Sequence, residues 1–270
     1  MTDQFQVREY SHTISDGWVQ RYRVYSYSDP ASKVRGVVAI APGWGGWRYD
    51  YEPLAVRLVS SGYVVGVCDF RDSENPTPEV LRQDELRVKD FHEFCVELMA
   101  QHSHGNPLHV IGHSGGAKCA LGVADATYQS LGRLDPLPNL ASCIALSPQG
   151  IDKSSETTGE TANSVTVPVM YGTGTLDEGG RTGDPWTWRT NLYYLGTNTP
   201  RHLYVLHDAT HAQVGMTGRE MMPDAMLEAG AGMVLDFLGA YGERSLWSRL
   251  QLWLKTMWPP AEFERVESGR

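Results

Sequence analysis

The segment VIGHSGGAKCALG, residues 110–122, runs an apolar stretch into a tight glycine-rich turn with Ser114 at its centre. Gly112-His113-Ser114-Gly115-Gly116 fits G-x-S-x-G, with a strand-like run before it and a helix-like run after it. That context is what makes the motif a nucleophile position. A serine at the tip of a strained strand-to-helix turn needs small residues two positions away on each side, and Gly112 and Gly116 supply them. Gly115 then offers a backbone N–H at the start of a helix, where the dipole favours developing negative charge. A glycine-rich turn carrying a bystander serine is the alternative. A phosphate-binding turn is the other, but the Walker spacing is missing. His113 is expected to pack or to hydrogen-bond, with no role in chemistry.

A serine hydroxyl attacks poorly near neutral pH unless a base takes its proton, and the base needs an acid to fix its tautomer. In the chain order serine, acid, histidine, the acid follows a later strand and the histidine the last one. After VTVPVMYG comes TGTLDEGG, which puts Asp177 on a loop at a strand end; after HLYVLHD comes ATHAQ, which puts His211 on the next. Glu178 and Asp184 are rival acids farther from the strand end. His202 opens the last strand and His207 closes it, so neither sits on the loop, and Asp208 is expected as a surface turn carboxylate. Two backbone donors are needed for an oxyanion. Gly115 N–H is one candidate; Trp44 N–H in APGWGGW (41–47) is the other, its indole available to cover an acyl group. A structural turn with a packed tryptophan is the alternative for that loop.

The elements that must hold these residues are legible as alternation. Apolar runs at 36–42, 63–70, 108–113, 141–148, 165–172 and 202–208 are separated by segments of helical period, such as YEPLAVRLVSSG and EVLRQDELRVKDFHEFCVELMA. Continuous β-branched runs suit strands buried on both faces of a parallel sheet. The pattern predicts an α/β fold: a mostly parallel, doubly wound sheet with helices on both faces. WVQRYRVYSYS alternates and suits an antiparallel edge. The polar stretch 150–164 is too short and hydrophilic for a large cap domain. One domain is expected over 1–242, followed at 243–270 by an amphipathic helix and tail belonging to that domain or to an interface.

The chain has 270 residues, 41% of them hydrophobic, and a formal net charge of -9. A substantial core is affordable at that size. The absence of a Lys/Arg cluster argues against nucleic acid as a partner. No apolar leader and no stretch of about 18 apolar residues is present, so no integral membrane segment and a cytoplasmic location are expected. Cys68, Cys95, Cys119 and Cys143 are widely spaced with no CxxC pair, as reduced core thiols would be. No metal-ligand spacing is found, and neither metal nor organic cofactor is expected.

Together these residues resemble the α/β-hydrolase superfamily, and more closely its dienelactone-hydrolase-like, cutinase-like and polyester-hydrolase-like branch. The likeness covers about residues 35–240: APGWGGWRYDYEPLAVRLVSSGYVVGVCDF, the serine turn, VTVPVMYGTGTLD and LHDATH. It implies an α/β-hydrolase fold, Ser114 as nucleophile, His211 as base, Asp177 as acid, and Trp44 and Gly115 as oxyanion donors. Gln149 stands after Ser147-Pro148 where secreted polyester hydrolases of this kind carry a tryptophan, and serine replaces the cysteine nucleophile of dienelactone hydrolases proper. The expected substrates are therefore ordinary carboxylic esters of short to medium chain. Two other classes stay open: an acyltransferase with the same triad, separable by products formed with a competing alcohol, and a non-catalytic binding member of the fold.

Two further segments invite a role. Trp186 and Trp188 follow the acid loop and either line an acyl or alcohol pocket or pack a short helix on the sheet. In the tail, Leu246, Leu250, Trp253 or Leu254, and Met257 share a helical face, with Trp247 and Trp258 beside it. That face is expected to dock on the body of the protein or on a second subunit in a homo-oligomer; lipid contact is the alternative.

Overall fold

A computed structural model describes residues 5–28, 34–74, 84–130, 133–151, 159–179, 185–243 and 245–269. Among the described residues nine strands form one sheet: β1 (Phe5–Thr13), β2 (Val19–Tyr27), β3 (Gly36–Ala41), β4 (Tyr63–Cys68), β5 (Leu108–His113), β6 (Leu140–Leu146), β7 (Val169–Leu176), β8 (Arg201–Thr210) and β9 (Phe263–Gly269). Their order is β1-β2-β4-β3-β5-β6-β7-β8-β9. From β4 through β8 neighbouring strands are parallel; β1, β2 and β9 add antiparallel edges. Every residue of β3, β4 and β5 is buried, which is why these runs are apolar without alternation.

Helices cover both faces. On one lie α2 (Asp84–His102) and α3 (Gly115–Val123), whose Phe91, Phe94, Leu98 and Cys119 pack with Val37, Val110 and Cys143. On the other lie α1 (Glu52–Ser60), α4 (Asp224–Tyr241) and α5 (Leu246–Met257), with Leu54, Leu58, Val234, Phe237 and Leu252 against Val38, Ile111, Ile144 and Tyr204. The four cysteines are buried and unpaired, and burial pushes each thiol upward in pKa. No helix among the described residues is long and apolar enough to cross a membrane.

The structure departs from the sequence expectations at four places. β1, which no expectation covered, pairs with β2 from Phe5↔Tyr27 to Thr13↔Val19. β7 begins at Val169, not Val165, because Pro168 has no N–H to give a ladder; Val165 makes only an isolated bridge to Asp125. The tail contains β9, paired with β8 from Arg201↔Gly269 to Leu206↔Phe263, so residues 263–269 are built into the same sheet. Finally, α5 meets the body through Ser248 and Leu252, while Leu246, Trp247, Leu250, Trp253, Met257 and Trp258 are exposed. Of the alternatives for the apolar stripe, docking on the body is met only in part: most of the stripe is exposed, while Leu252 is buried and Leu254 half-buried. Residues 79–83 of the second expected helix, 152–158 of the polar stretch, and Asp184 lie outside the described residues.

Candidate functional site

The parallel strands end together, and the candidate residues follow those ends: Trp44 after β3, Ser114 after β5, Asp177 after β7 and His211 after β8. Carboxyl ends of parallel strands are where open α/β sheets hold ligands. Ser114 sits at φ 54°, ψ -121°, a strained backbone for a residue with a Cβ. Its N–H donates to the Leu146 carbonyl at 2.8 Å, fastening the turn to the end of β6. A Cβ at 112 would run into the Gly116 carbonyl, and one at 116 into the Ala41 and Pro42 carbonyls, so the turn closes only with glycine at both positions.

The Trp44 loop lies against this turn. A Cβ on Gly43 would stand 3.1 Å from Ser114 Cβ, and one on Gly115 would stand 2.7 Å from Trp44 Cδ1 and Nε1. The indole therefore covers Gly115. Among the described residues neither Trp44 N–H nor Gly115 N–H donates to another protein group. The loop is held from beneath by buried side chains. Asp72 accepts Gly45 N–H at 2.7 Å, Asp69 accepts Arg48 N–H at 2.7 Å, and Tyr51 Oη accepts Gly43 N–H at 2.8 Å. Arg87 and Arg48 in turn neutralise Asp72 and Asp69.

His211 Nδ1 lies 2.7 Å from Asp177 Oδ1. A carboxylate can only accept, so Nδ1 carries the proton and Nε2 the lone pair. The His211 side chain is 39% exposed, while Asp177 is fully buried. Asp177 Oδ2 also accepts from Ser147 Oγ at 2.5 Å and Thr173 Oγ1 at 2.9 Å, and Arg189 Nε faces Oδ1 at 2.8 Å. Burial alone would raise the Asp177 pKa; the His211 hydrogen bond and the Arg189 charge outweigh it, so the carboxyl titrates below its ordinary range. Among the described residues no hydrogen bond joins Ser114 Oγ to His211 in this conformation. In unliganded sites that contact is commonly long and tightens when substrate arrives.

Sequence reasoning missed three contributors. Arg189 uses its remaining nitrogens on the carbonyls of Ser147, Pro148 and Glu178 and its Nε also on that of Asp177, tying the acid loop to the end of β6. Ser147 and Thr173 hold the second carboxylate oxygen. The third is Tyr51, the partner of His113, which was itself expected to pack or to hydrogen-bond and does both. His113 Nε2 stands 2.9 Å from the His211 carbonyl, which only accepts, so Nε2 carries the proton; burial keeps the ring neutral, its pKa pushed down to about 3. His113 Nδ1 must then accept from Tyr51 Oη at 2.9 Å. A chain of hydrogen bonds thus runs from Gly43 in the Trp44 loop through Tyr51 and His113 to the backbone of His211. The partners are 62 and 98 residues apart in sequence, and no local signal marks them.

The rivals are placed elsewhere. Glu178 is exposed, and His207 lies at the surface near Asp208 and Glu264. Asp208, expected on a surface turn, is exposed but lies within β8, at φ 53°. Trp186 packs against the core, and Trp188 packs against Gly150, where a Cβ would meet its ring at 2.7 Å. The chain matches no protein-family model and no curated protein.

Proposed function

We propose that the protein is a serine hydrolase of α/β-hydrolase fold that cleaves carboxylic esters of short to medium chain through an acyl-enzyme. The observation that carries this reading is the His211–Asp177 pair, with the Nε2 lone pair free, gathered at the same sheet edge as a serine in a strained turn. Ser114 Oγ attacks the ester carbonyl as His211 Nε2 takes its proton; Asp177 stabilises the imidazolium that results. Trp44 N–H and Gly115 N–H receive the oxyanion. His211 then protonates the leaving alcohol. Water, deprotonated by the same nitrogen, attacks the acyl-enzyme and releases the acid and Ser114.

The strand order and the buried Asp177 nest support this reading, and the free N–H groups at 44 and 115 support the oxyanion assignment. The test is hydrolysis of p-nitrophenyl esters from acetate to dodecanoate by the wild type and by Ser114→Ala. Turnover by the wild type that vanishes in the variant is expected, with the chain-length profile sizing the pocket. A folded wild type that turns over none of these esters overturns the hydrolase reading.

A further inference from the structure

At the opposite end of β8 from His211 lies a pocket of about 410 Å³, within the roughly 300–1,000 Å³ typical of small-molecule sites. Pro200, Leu252 and Trp253 form its apolar wall, and His202, Tyr241, Ser268 and Arg249 its polar lining. At about 3.3 Å per strand residue, His202 is roughly 30 Å along β8 from His211. The pocket exists because β9 and α5 close over the start of β8: Ser268 comes from β9, and Arg249, Leu252 and Trp253 come from α5.

The polar lining offers protons and lacks carboxylates. Ser268 Oγ lies 2.8 Å from His202 Nδ1, and Tyr241 Oη 2.8 Å from His202 Nε2. Burial keeps His202 neutral, its pKa pushed down to about 4, so the ring has one N–H and one lone pair. Two hydroxyls and one ring N–H therefore bring three protons to two links. In one tautomer the Tyr241 proton is left over, in the other the Ser268 proton, and among the described residues neither hydroxyl has a further acceptor. Beside them, Arg249 donates Nε–H to the Ala240 carbonyl at 3.2 Å, which orients the guanidinium. Its terminal nitrogens have no ion-pair or hydrogen-bond partner among the described residues. An exposed cation at the pocket rim, oriented by one backbone hydrogen bond, a surplus hydroxyl proton and an apolar wall match an amphiphile with a small anionic head.

We propose that this pocket binds an aliphatic monocarboxylate of medium length, with the carboxylate on Arg249 and the surplus hydroxyl and the chain along Leu252, Trp253 and Pro200. The site stands apart from the triad, and its test uses no ester, so its failure and that of the hydrolase reading are distinguishable. Octanoate is titrated calorimetrically into the full-length wild type, with octanamide as the uncharged counterpart. Octanoate is expected to bind at one site at least tenfold more tightly than octanamide, the scale of a charge-assisted hydrogen bond. Arg249→Gln should remove that advantage and leave octanamide binding unchanged. A diazirine-bearing octanoate should cross-link to the 246–257 segment. No heat at millimolar octanoate, equal affinity for octanamide, unaltered octanoate binding in Arg249→Gln, or cross-linking confined to the segments around Ser114 and His211 each overturns the proposal. Should Arg249→Gln fail to unfold cooperatively, the octanoate–octanamide ratio and the cross-link, both measured on the wild type, decide it.

Discussion

β8 carries a histidine at each end, His202 near its start and His211 just past its finish, and their surroundings are opposite. His202 has a serine at 2.8 Å, a closer serine partner than any that His211 has among the described residues. Yet behind His202 stands a tyrosine hydroxyl, and behind His211 a buried carboxylate. Protonating His202 would bury a cation with no counter-charge; protonating His211 completes an ion pair with Asp177 whose charged end stays half-exposed. The comparison teaches that a serine–histidine contact is not by itself a catalytic pair. What distinguishes the two ends is the acid and the apparatus that keeps the acid ionised.

The strongest way to break that comparison is at the serines. Ser114→Ala should lower kcat on p-nitrophenyl esters by on the order of 10⁴-fold or more while leaving the thermal midpoint nearly unchanged. In the same vein, a fluorophosphonate should label Ser114 in peptide mapping; a label on Ser268 would invert the comparison. Asp177→Asn should cost about 10⁴-fold in kcat, because the amide favours the wrong tautomer of His211. Normal turnover in that variant would remove the carboxylate from the argument.

Smaller effects sharpen the picture. Arg189→Met takes the cation from beside the buried Asp177 carboxylate and the guanidinium from four backbone carbonyls, so denaturant unfolding should show a loss of roughly 3–5 kcal/mol. Tyr51→Phe strands both Gly43 N–H and His113 Nδ1, and roughly 1–3 kcal/mol of stability should go with it. A lower kcat is expected as well, since the same hydroxyl steadies the Trp44 loop; unchanged kinetics would show that loop to be held by Asp72 and Asp69 alone.

The smallest effect is on pH dependence. His109, His113 and His202 are depressed by burial to about 3, 3 and 4, and so stay neutral in the fold where the unfolded chain takes up protons below about pH 6.5. Their contribution to stability is fully present above that pH and declines as pH falls toward 4. Asp177 behaves differently: its lowered value means its contribution is present above about pH 4 and is lost as pH falls through the folded value. His202→Asn should thus reduce the slope of stability against pH between 6 and 4 by about one proton, measured from urea midpoints. An unchanged slope would mean that His202 is not held neutral.

The local framework of the candidate site was legible because its signals are local. The glycine at 112 is dictated by backbone closeness within one turn, whereas that at 116 makes room for the Ala41 and Pro42 carbonyls of a neighbouring strand end; Asp177 and His211 follow directly from strand ends that apolar runs announce. The edges were less legible. β1 and β9 carry FQVREYSHT and FERVESG, half-exposed strands whose charged residues weaken the apolar signal that marked the central strands. Periodicity found the stripe of α5 but could not say what it faces, since amphipathicity records an apolar side and not its partner.

By itself the sequence determined the alternation of strand and helix, the turn around Ser114 and the order of serine, acid and histidine, because each rests on residues near one another in the chain. Tertiary structure alone decided how Asp177 is kept charged, through Ser147 and Arg189; how the Trp44 loop is tied to the backbone of His211, through Tyr51 and His113; and that a second, proton-rich pocket forms at the far end of β8. Each of those depends on hydrogen bonds between residues brought together only when the sheet assembles, and no short-range pattern encodes them.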